Sequence, residues 1–323
     1  MLPVSYHDVL DSLPRVHAVL KPTPLYEWEG LSRLLGCRFF LKHENHQPVG
    51  AFKVRGGINL LSSLSEKEKE AGVLGCSTGN HGQSLAFACK RFGVKCTIVV
   101  PQRNNPDKNR AIQNLGADLI EQGRDFDEAK HFLETQLASQ GGRYVHSANE
   151  PKLIAGVGTM ACEIFDELSD PDVILVPIGL GSGVCGTAIV AKSLRPETKV
   201  IGVQAAGAAA VAQSWRTGTF QTTDKADTFA EGMATRIPAE MTLDFMQELM
   251  DDVILVPDDQ LRQACYSTLK QTHNLAEGAG AAALAAAFKH RNQFKGQNVV
   301  GILSGGNLNL AELPEILEAG ELQ

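Results

Sequence analysis

Lys53 is placed where an amine can act as a nucleophile. A strand-like apolar run at residues 39–41 leads into a polar loop, and a helix is predicted to begin around Ala51, with Phe52 and Lys53 in its first turn. The positive end of a helix and burial both disfavour an ammonium, so we expect this lysine to have a lowered pKa. A neutral amine can form a Schiff base with an aldehyde. The alternative is a surface lysine whose stem packs on Phe52.

A polar turn at residues 76–83, CSTGNHGQ, follows an apolar strand signal and leads into a helix. Free backbone N–H groups at a helix start, together with hydroxyl and amide side chains, suit a carboxylate. The candidate ligands are Ser77, Thr78, Asn80 and His81. An ordinary N-cap with a glycine turn is the alternative, but it accounts for only one of the hydroxyls.

A glycine-rich turn at residues 177–186, PIGLGSGVCG, also joins a strand to a helix. Its backbone N–H groups suit a phosphate, although a turn built only for tight packing is the alternative. Residues 181–186 match G-x-G-x-x-G, which raises the possibility of a dinucleotide site. That site needs an acid at the end of the next strand, and this strand ends in Val203 and Gln204.

A third turn places Ser304 at the end of an apolar strand, before two glycines and Asn307. A hydroxyl in this position is a candidate partner for the nitrogen of a heterocycle. Ligands of open α/β sheets bind outside the carboxyl ends of strands, so the three turns should converge on one site. A lysine, a phosphate cradle, a carboxylate pocket and a ring-nitrogen partner together fit pyridoxal phosphate.

The elements that position these turns alternate between strand and helix signals. The strands are short, continuous Val/Ile/Leu runs, which is typical of parallel strands buried on both faces. The sequence therefore predicts an α/β protein with two lobes, each a mainly parallel twisted sheet flanked by helices. We expect a discontinuous large domain at residues 1–63 and 145–323 and a small domain at residues 64–144.

The composition argues against several classes of function. The chain has 323 residues, a formal charge of -7 and no Lys/Arg block, so a nucleic-acid or anionic-membrane partner is not expected. No leader pattern or long apolar stretch is visible, and we expect a cytoplasmic protein. The 7 cysteines are scattered without a C-x-x-C pair and are interpreted as reduced thiols in the core.

The chain resembles the fold-type II pyridoxal-phosphate enzymes, and among them the threonine/serine dehydratase and serine racemase group. The resemblance covers nearly the whole chain and depends on several motifs in family order. These motifs lie at residues 23–25, 50–56, 77–82, 101 with 108, 116–117, 155–159, 179–183, 277–280 and 304–307.

The resemblance implies a role for each matching residue. Lys53 would form the Schiff base with the cofactor and move the α-proton, Phe52 would pack beside the ring, and Ser304 would meet the pyridine nitrogen. Asn80 would hydrogen-bond the 3′-oxygen of the cofactor and, with its neighbours, surround the substrate carboxylate; these neighbours are Ser77, Thr78 and His81. The cofactor phosphate would lie in the loop formed by Gly179, Leu180, Gly181, Ser182 and Gly183.

A serine at the pyridine nitrogen does not keep that nitrogen protonated, so the ring is a weaker electron sink than one paired with a carboxylate. This favours β-elimination, in which the β-hydroxyl leaves with the α-proton, with the cofactor phosphate as acid. The aminoacrylate released would hydrolyse to a 2-oxoacid and ammonia.

Three departures from the family pattern bear on function. Gln204, Ala208 and Ala210 occupy positions where some relatives have cation-binding carboxylates, so no metal is expected. Thr78 stands where racemases carry a serine base for the opposite face; its hydroxyl either acts as that base or is satisfied by the backbone. The chain ends soon after Asn307, so we expect no regulatory domain and no feedback inhibition by isoleucine.

The leading hypothesis is an L-threonine or L-serine ammonia-lyase. The alternatives are an amino-acid racemase, or a dehydratase for 3-hydroxyaspartate, phenylserine or a hydroxyectoine-derived substrate. A catalytically silent ligand-sensing homologue is the alternative outside the enzymes. The resemblance also implies a homodimer.

Overall fold

The protein is described here by a computed structural model, which covers residues 2–137, 139 and 141–322. Its strands are β1 (Leu25–Glu27), β2 (Arg38–His43), β3 (Val73–Cys76), β4 (Cys96–Val100), β5 (Asp118–Glu121), β6 (Arg143–Val145), β7 (Val173–Pro177), β8 (Lys199–Ala205), β9 (Asp252–Val256) and β10 (Asn298–Leu303).

Helices cover both sheets. They are α1 (Tyr6–His17), α2 (Glu29–Leu35), α3 (Lys53–Ser62), α4 (Glu66–Ala71), α5 (Asn80–Phe92), α6 (Pro106–Asn114), α7 (Phe126–Phe132), α8 (Pro151–Glu167), α9 (Ser182–Leu194), α10 (Ala210–Thr217), α11 (Glu240–Leu249), α12 (Asp258–Thr272), α13 (Gly278–Lys289) and α14 (Leu313–Ala319). A π-helical turn, Leu133–Leu137, follows α7 directly, and Ala138 lies outside the described residues.

The strands form two sheets. The larger one has 6 strands in the order β1-β2-β10-β7-β8-β9, and only β1 pairs antiparallel with its neighbour. The smaller sheet has 4 parallel strands in the order β5-β4-β3-β6. The predicted fold class is confirmed. We call the two halves the larger-sheet lobe and the smaller-sheet lobe, the latter comprising β3–β6 with α5, α6 and α7.

The domain borders, with a large domain at residues 1–63 and 145–323 and a small domain at residues 64–144, remain a prediction. The strand β6, Arg143–Val145, spans the border after residue 144. Other sequence-based boundaries shift slightly. The helix expected around Ala51 begins at Lys53, because Ala51 instead forms an antiparallel bridge with Gly305 after β10. No described helix is long and apolar enough to cross a membrane.

Apolar side chains fill both faces of the larger sheet. One cluster packs between that sheet and α2, α12 and α13, and a second packs against α8, α9 and α11. A third cluster joins α3 to the smaller-sheet lobe. The alanine-rich α13 allows close packing: a Cβ on Gly280 would lie 2.1 Å from the carbonyl oxygen of Gly305. All seven cysteines are free and buried, as predicted.

A buried charge network anchors the first turns of α3. The guanidinium of Arg55 donates from Nε to Glu44 Oε2 at 2.8 Å and from Nη1 to Glu163 Oε1 at 2.6 Å. Lys42 Nζ lies 2.8 Å from Glu163 Oε2. All four side chains are buried. The two cations, Arg55 and Lys42, are therefore neutralised by Glu44 and Glu163 and not by solvent. The network fixes the helix that begins with Lys53.

Candidate active site

One pocket between the two lobes is lined by every residue predicted to bind cofactor or substrate. The first turn lies at the end of β3 in the smaller sheet, and the other two lie at the ends of β7 and β10 in the larger sheet. The structure thus brings together Phe52, Lys53, Ser77, Thr78, Asn80, His81, Gly179, Leu180, Gly181, Ser182, Gly183 and Ser304.

The amine of Lys53 lies inside this pocket. Its Nζ donates to Ser182 Oγ at 2.6 Å and to the carbonyl oxygen of Ser147 at 3.4 Å, and it lies 5.2 Å from the centroid of the Phe52 ring. Burial lowers the pKa of Lys53 from 10.5 to about 8. A substantial fraction of the amine is therefore neutral near physiological pH.

The turn after β7 requires glycine at several positions. A Cβ on Gly179 would lie 2.3 Å from the carbonyl oxygen of Gly232, and Gly181 has φ +103°. A Cβ on Gly183 would lie 3.2 Å from the Phe52 ring. Because α9 begins at Ser182, the turn presents unpaired backbone N–H groups beside the amine of Lys53. This arrangement suits an anion.

The turn after β3 has its own hydrogen bonds. The Gly79 N–H donates to Ser77 Oγ at 2.9 Å, which shapes the loop before α5. Burial, and next the nearby Lys53, lower the pKa of His81 to about 3, so this imidazole is neutral at pH 7. The hydroxyl of Thr78 makes no hydrogen bond with the described residues, so it is not satisfied by the backbone as one alternative required.

The turn after β10 packs directly against the start of α3. Ser304 is 5% exposed, and its carbonyl oxygen accepts the Phe52 N–H at 3.0 Å. Asn307 Nδ2 donates to Asn80 Oδ1 at 2.8 Å. The side chains of the first and third turns are therefore linked through Asn80.

Three charged residues of the pocket were not assigned a role from the sequence. Lys108 Nζ donates to Glu231 Oε2 at 2.5 Å and lies 3.8 Å from Glu277 Oε2. Asn80 Nδ2 donates to Glu277 Oε1 at 2.6 Å. Lys108 and Glu277 belong to motifs that carry the resemblance, and this is the signal that could have identified them. Glu231 carried no such signal.

Residues 231–236 cross the cleft between the lobes, and we call them the crossing segment. At one end Glu231 pairs with Lys108 of α6. At the other end Arg236 lies 2.9 Å from Asp125 Oδ2 and 3.3 Å from Asp127 Oδ2, at the start of α7. Both ends of a segment of the larger-sheet lobe are thus held by ion pairs with the smaller-sheet lobe.

The positions where some relatives have cation-binding carboxylates carry Gln204, Ala208 and Ala210 in this chain. Gln204 is fully buried, and its Oε1 accepts the Ala212 N–H at 2.9 Å. Within the part of the chain that the structure describes, no group of three or more His, Cys, Asp and Glu side chains is arranged to hold a metal ion.

Comparison with known proteins agrees with this geometry. The family described as "Pyridoxal-phosphate dependent enzyme" matches residues 16–305. The chain is 34% identical over 317 residues to an L-threonine ammonia-lyase of Thermotoga maritima, covering 98% of this chain and 79% of that protein.

Solved structures give the same result. Threonine deaminase isoform 2 from Solanum lycopersicum, in its processed form, superimposes with a TM-score of 0.90 at 35% identity, over 97% of this chain and 92% of that one. A pyridoxal 5′-phosphate-dependent aspartate racemase superimposes with a TM-score of 0.90 at 30% identity, over 98% and 99% of the two chains.

Proposed function

The chain belongs to the family of pyridoxal-phosphate-dependent enzymes, and we propose that it is an ammonia-lyase of β-hydroxy amino acids, with L-threonine or L-serine as substrate. The products are 2-oxobutyrate or pyruvate, plus ammonia. The α-proton and the β-hydroxyl leave as water, and water then hydrolyses the released product. The observation that carries the proposal is the buried amine of Lys53, which has a lowered pKa and donates to Ser182 Oγ at 2.6 Å in a glycine turn whose geometry suits an anion.

The residues present fit pyridoxal phosphate. The glycine turn and the start of α9 form a cradle suited to a phosphate, and a Cβ on Gly179 would clash with the carbonyl oxygen of Gly232 at 2.3 Å. The amine of Lys53 is within hydrogen-bonding distance of the cradle residue Ser182. Ser304 would meet the ring nitrogen, Asn80 the 3′-oxygen, and both side chains line the pocket.

When bound, pyridoxal phosphate supplies an aldehyde for the substrate amine and a conjugated ring that stabilises negative charge at Cα. The protein supplies the proton transfer. Burial keeps part of the Lys53 population neutral, and Nζ in that form accepts the α-proton. Ser182 Oγ, 2.6 Å away, accepts a hydrogen bond from this nitrogen and orients it.

The turn after β3 would hold the substrate carboxylate. Ser77, Thr78, Asn80 and His81 surround the start of α5, where backbone N–H groups have no partner within the helix. Because His81 is neutral, it can bind the carboxylate as a hydrogen-bond partner without adding charge. This binding would orient Cα towards Lys53.

The test is product formation by the purified protein loaded with pyridoxal phosphate. We expect L-threonine or L-serine to give equal amounts of 2-oxoacid and ammonia, and Lys53→Ala to abolish the reaction. Lys67 gives a matched control, because its side chain is exposed and makes no hydrogen bond with the described residues, so Lys67→Ala removes a lysine outside the pocket. Release of no 2-oxoacid from any β-hydroxy amino acid would contradict the proposal.

Racemisation is the second candidate, favoured by the hydroxyl of Thr78, which lines the pocket and makes no hydrogen bond with the described residues. If the hydroxyl of Thr78 lies on the face opposite to Lys53, it would donate a proton to Cα from that face and so invert its configuration. The same incubations distinguish the two reactions. Formation of the inverted enantiomer without 2-oxoacid would show racemisation in place of elimination, and Thr78→Val should then abolish the inversion.

We also propose that the protein is a cytoplasmic homodimer with the domain borders given above. The support is the resemblance to the dehydratase and racemase group. Light scattering coupled to gel filtration measures the mass in solution against the 34.7 kDa of one chain. A mass of one chain at all concentrations would contradict the dimer.

A further inference from the structure

The pocket carries two carboxylates for one permanent cation. Burial lowers the pKa of Lys108, but Glu277 and Glu231 outweigh this effect and raise it, so Lys108 is charged. Glu231 and Glu277 both lie against its ammonium, at 2.5 Å and 3.8 Å. The group formed by these three side chains therefore has an excess negative charge.

The other titratable nitrogens of the pocket do not offset this excess. Lys53 must be neutral to accept a proton, and His81 is neutral because of its burial. Of the described residues that line this pocket, only Lys53 and Lys108 are lysines and none is an arginine. A bound cofactor phosphate would add further negative charge.

We propose that Glu231 is a specificity-determining residue that, by holding Lys108, excludes amino acids with a second carboxylate, so that the substrate class is β-hydroxy amino acids without an acidic side chain. This inference rests on the proposed ammonia-lyase function. Serine, threonine and 3-hydroxyaspartate all carry a β-hydroxyl, and Glu231 would select the first two against the third by its second carboxylate.

The exclusion does not depend on which way the substrate side chain turns. A second carboxylate meets either the glutamates or neutral walls formed by residues such as Phe126, Ser147 and Met233. Both glutamates line the pocket, and Glu231 is the more accessible one to a ligand: its side chain is 33% exposed, whereas that of Glu277 is 7% exposed. An unpaired carboxylate in such a site is strongly disfavoured.

The adjoining outer cavity does not supply the missing cation. It shares Thr78, Phe126, Glu231 and Ala234 with the pocket. Four basic side chains line it, but five acidic ones do as well, Glu231 included. Arg236 is already held by Asp125 and Asp127. A substrate that approaches through this cavity meets no net positive charge.

The first measurement compares L-serine with L-threo-3-hydroxyaspartate as substrates of the holoenzyme. We expect kcat/KM for the dicarboxylate to be at least about 100-fold lower, as like-charge contacts in a desolvated site predict. Glu231→Gln frees one side of Lys108 and should narrow this ratio at least about tenfold. Equal turnover of the two substrates by the wild type would overturn the inference.

A binding measurement separates charge from size. L-aspartate and L-asparagine have nearly the same shape, differ in charge and lack a β-hydroxyl that could leave. Their binding constants would be measured from competitive inhibition and from their effect on the cofactor absorbance. The wild type should bind L-asparagine more tightly, and Glu231→Gln should bring the two constants together. A purely structural role for Glu231 would weaken both ligands equally and leave their ratio unchanged, which would also overturn the inference.

The matched control is Glu240→Gln, which removes an exposed carboxylate at the start of α11 and should leave the ratio as in the wild type. If Glu231→Gln fails to fold, the aspartate-to-asparagine ratio of the wild type decides alone. Failure of the ammonia-lyase proposal gives a different result: no 2-oxoacid from L-serine or L-threonine, with the ratio of binding constants still measurable.

Discussion

The protonation of Lys53 should control how fast the apoprotein takes up pyridoxal phosphate. Burial lowers the pKa of this amine to about 8 from 10.5. At pH 7.5 a pKa of about 8 leaves roughly a quarter of the amine neutral, whereas a pKa of 10.5 leaves roughly one part in a thousand. The buried site therefore increases the reactive form roughly 200-fold.

The assay is stopped-flow absorbance of the apoprotein mixed with pyridoxal phosphate at a series of pH values. Because only the neutral amine attacks the aldehyde, the rate should rise about tenfold per pH unit below 8 and level off about one unit above it. Pyridoxine 5′-phosphate lacks the aldehyde, so the pH dependence of its binding rate reports only the effect of pH on phosphate binding. The rates measured with pyridoxal phosphate are corrected by this dependence. A rate that continues to rise to a midpoint near 10.5 would refute the lowered pKa.

Four further predictions follow from buried charges. Lys53→Met should stabilise the apoprotein by up to about 3 kcal/mol below pH 8, and the gain should disappear as the pH rises from 8 to 10.5, because the unfolded chain holds the proton more tightly. Arg236→Gln leaves Asp127, 10% exposed, without its arginine, and should raise KM for L-serine by about tenfold with a smaller change in kcat. Arg55→Met leaves two buried glutamates without a guanidinium and should lower the free energy of unfolding by about 3–5 kcal/mol in urea titrations. Burial raises the pKa of Glu163, but Arg55 and Lys42 outweigh it and lower the pKa to about 2, so the stability this carboxylate contributes should be lost as the pH falls from 4.5 through 2 in acid titrations followed by circular dichroism.

The two arginine variants have controls in the same chain. Arg38 forms an exposed ion pair with Glu27 within the larger sheet. Arg38→Gln should therefore leave KM unchanged and change the free energy of unfolding by no more than about 1 kcal/mol. Arg55→Lys keeps the charge without the planar fork and should recover part of the loss. If Arg38→Gln raised KM as much as Arg236→Gln does, the effect would be nonspecific. If Arg55→Met unfolded like the wild type, the network would not anchor α3.

The chemistry of the site could be predicted from the sequence because its signals are local. Each polar glycine turn follows directly on an apolar strand, and parallel strands present their carboxyl ends at one edge. Lys53, Ser182 and Ser304 were therefore assignable from their immediate neighbours, and the structure places all three in one pocket. The start of α3 was predicted two residues early, because the bridge of Ala51 to Gly305 is not a local feature.

The ion pairs between the lobes could not be predicted in this way. Lys108 and Glu231 are 123 residues apart, and Arg236 is 111 residues from Asp125. A charged side chain in a turn is usually solvated, so nothing in its neighbourhood indicates a distant partner. The crossing segment, with no strand or motif of its own, appears only when the two lobes are placed together.

The crossing segment both joins the two lobes and contributes to the charge of the pocket. Glu231 at one end neutralises the lysine that would otherwise attract a second carboxylate, and Arg236 at the other end holds the segment against the smaller-sheet lobe. A loosened segment would weaken all substrates alike, whereas a lost carboxylate would change only their ranking. Arg236→Gln should therefore change KM without changing the ratio of L-asparagine to L-aspartate binding, and Glu231→Gln should change that ratio. Because these two outcomes are independent, the pair of variants separates the positioning role of the segment from its role in specificity.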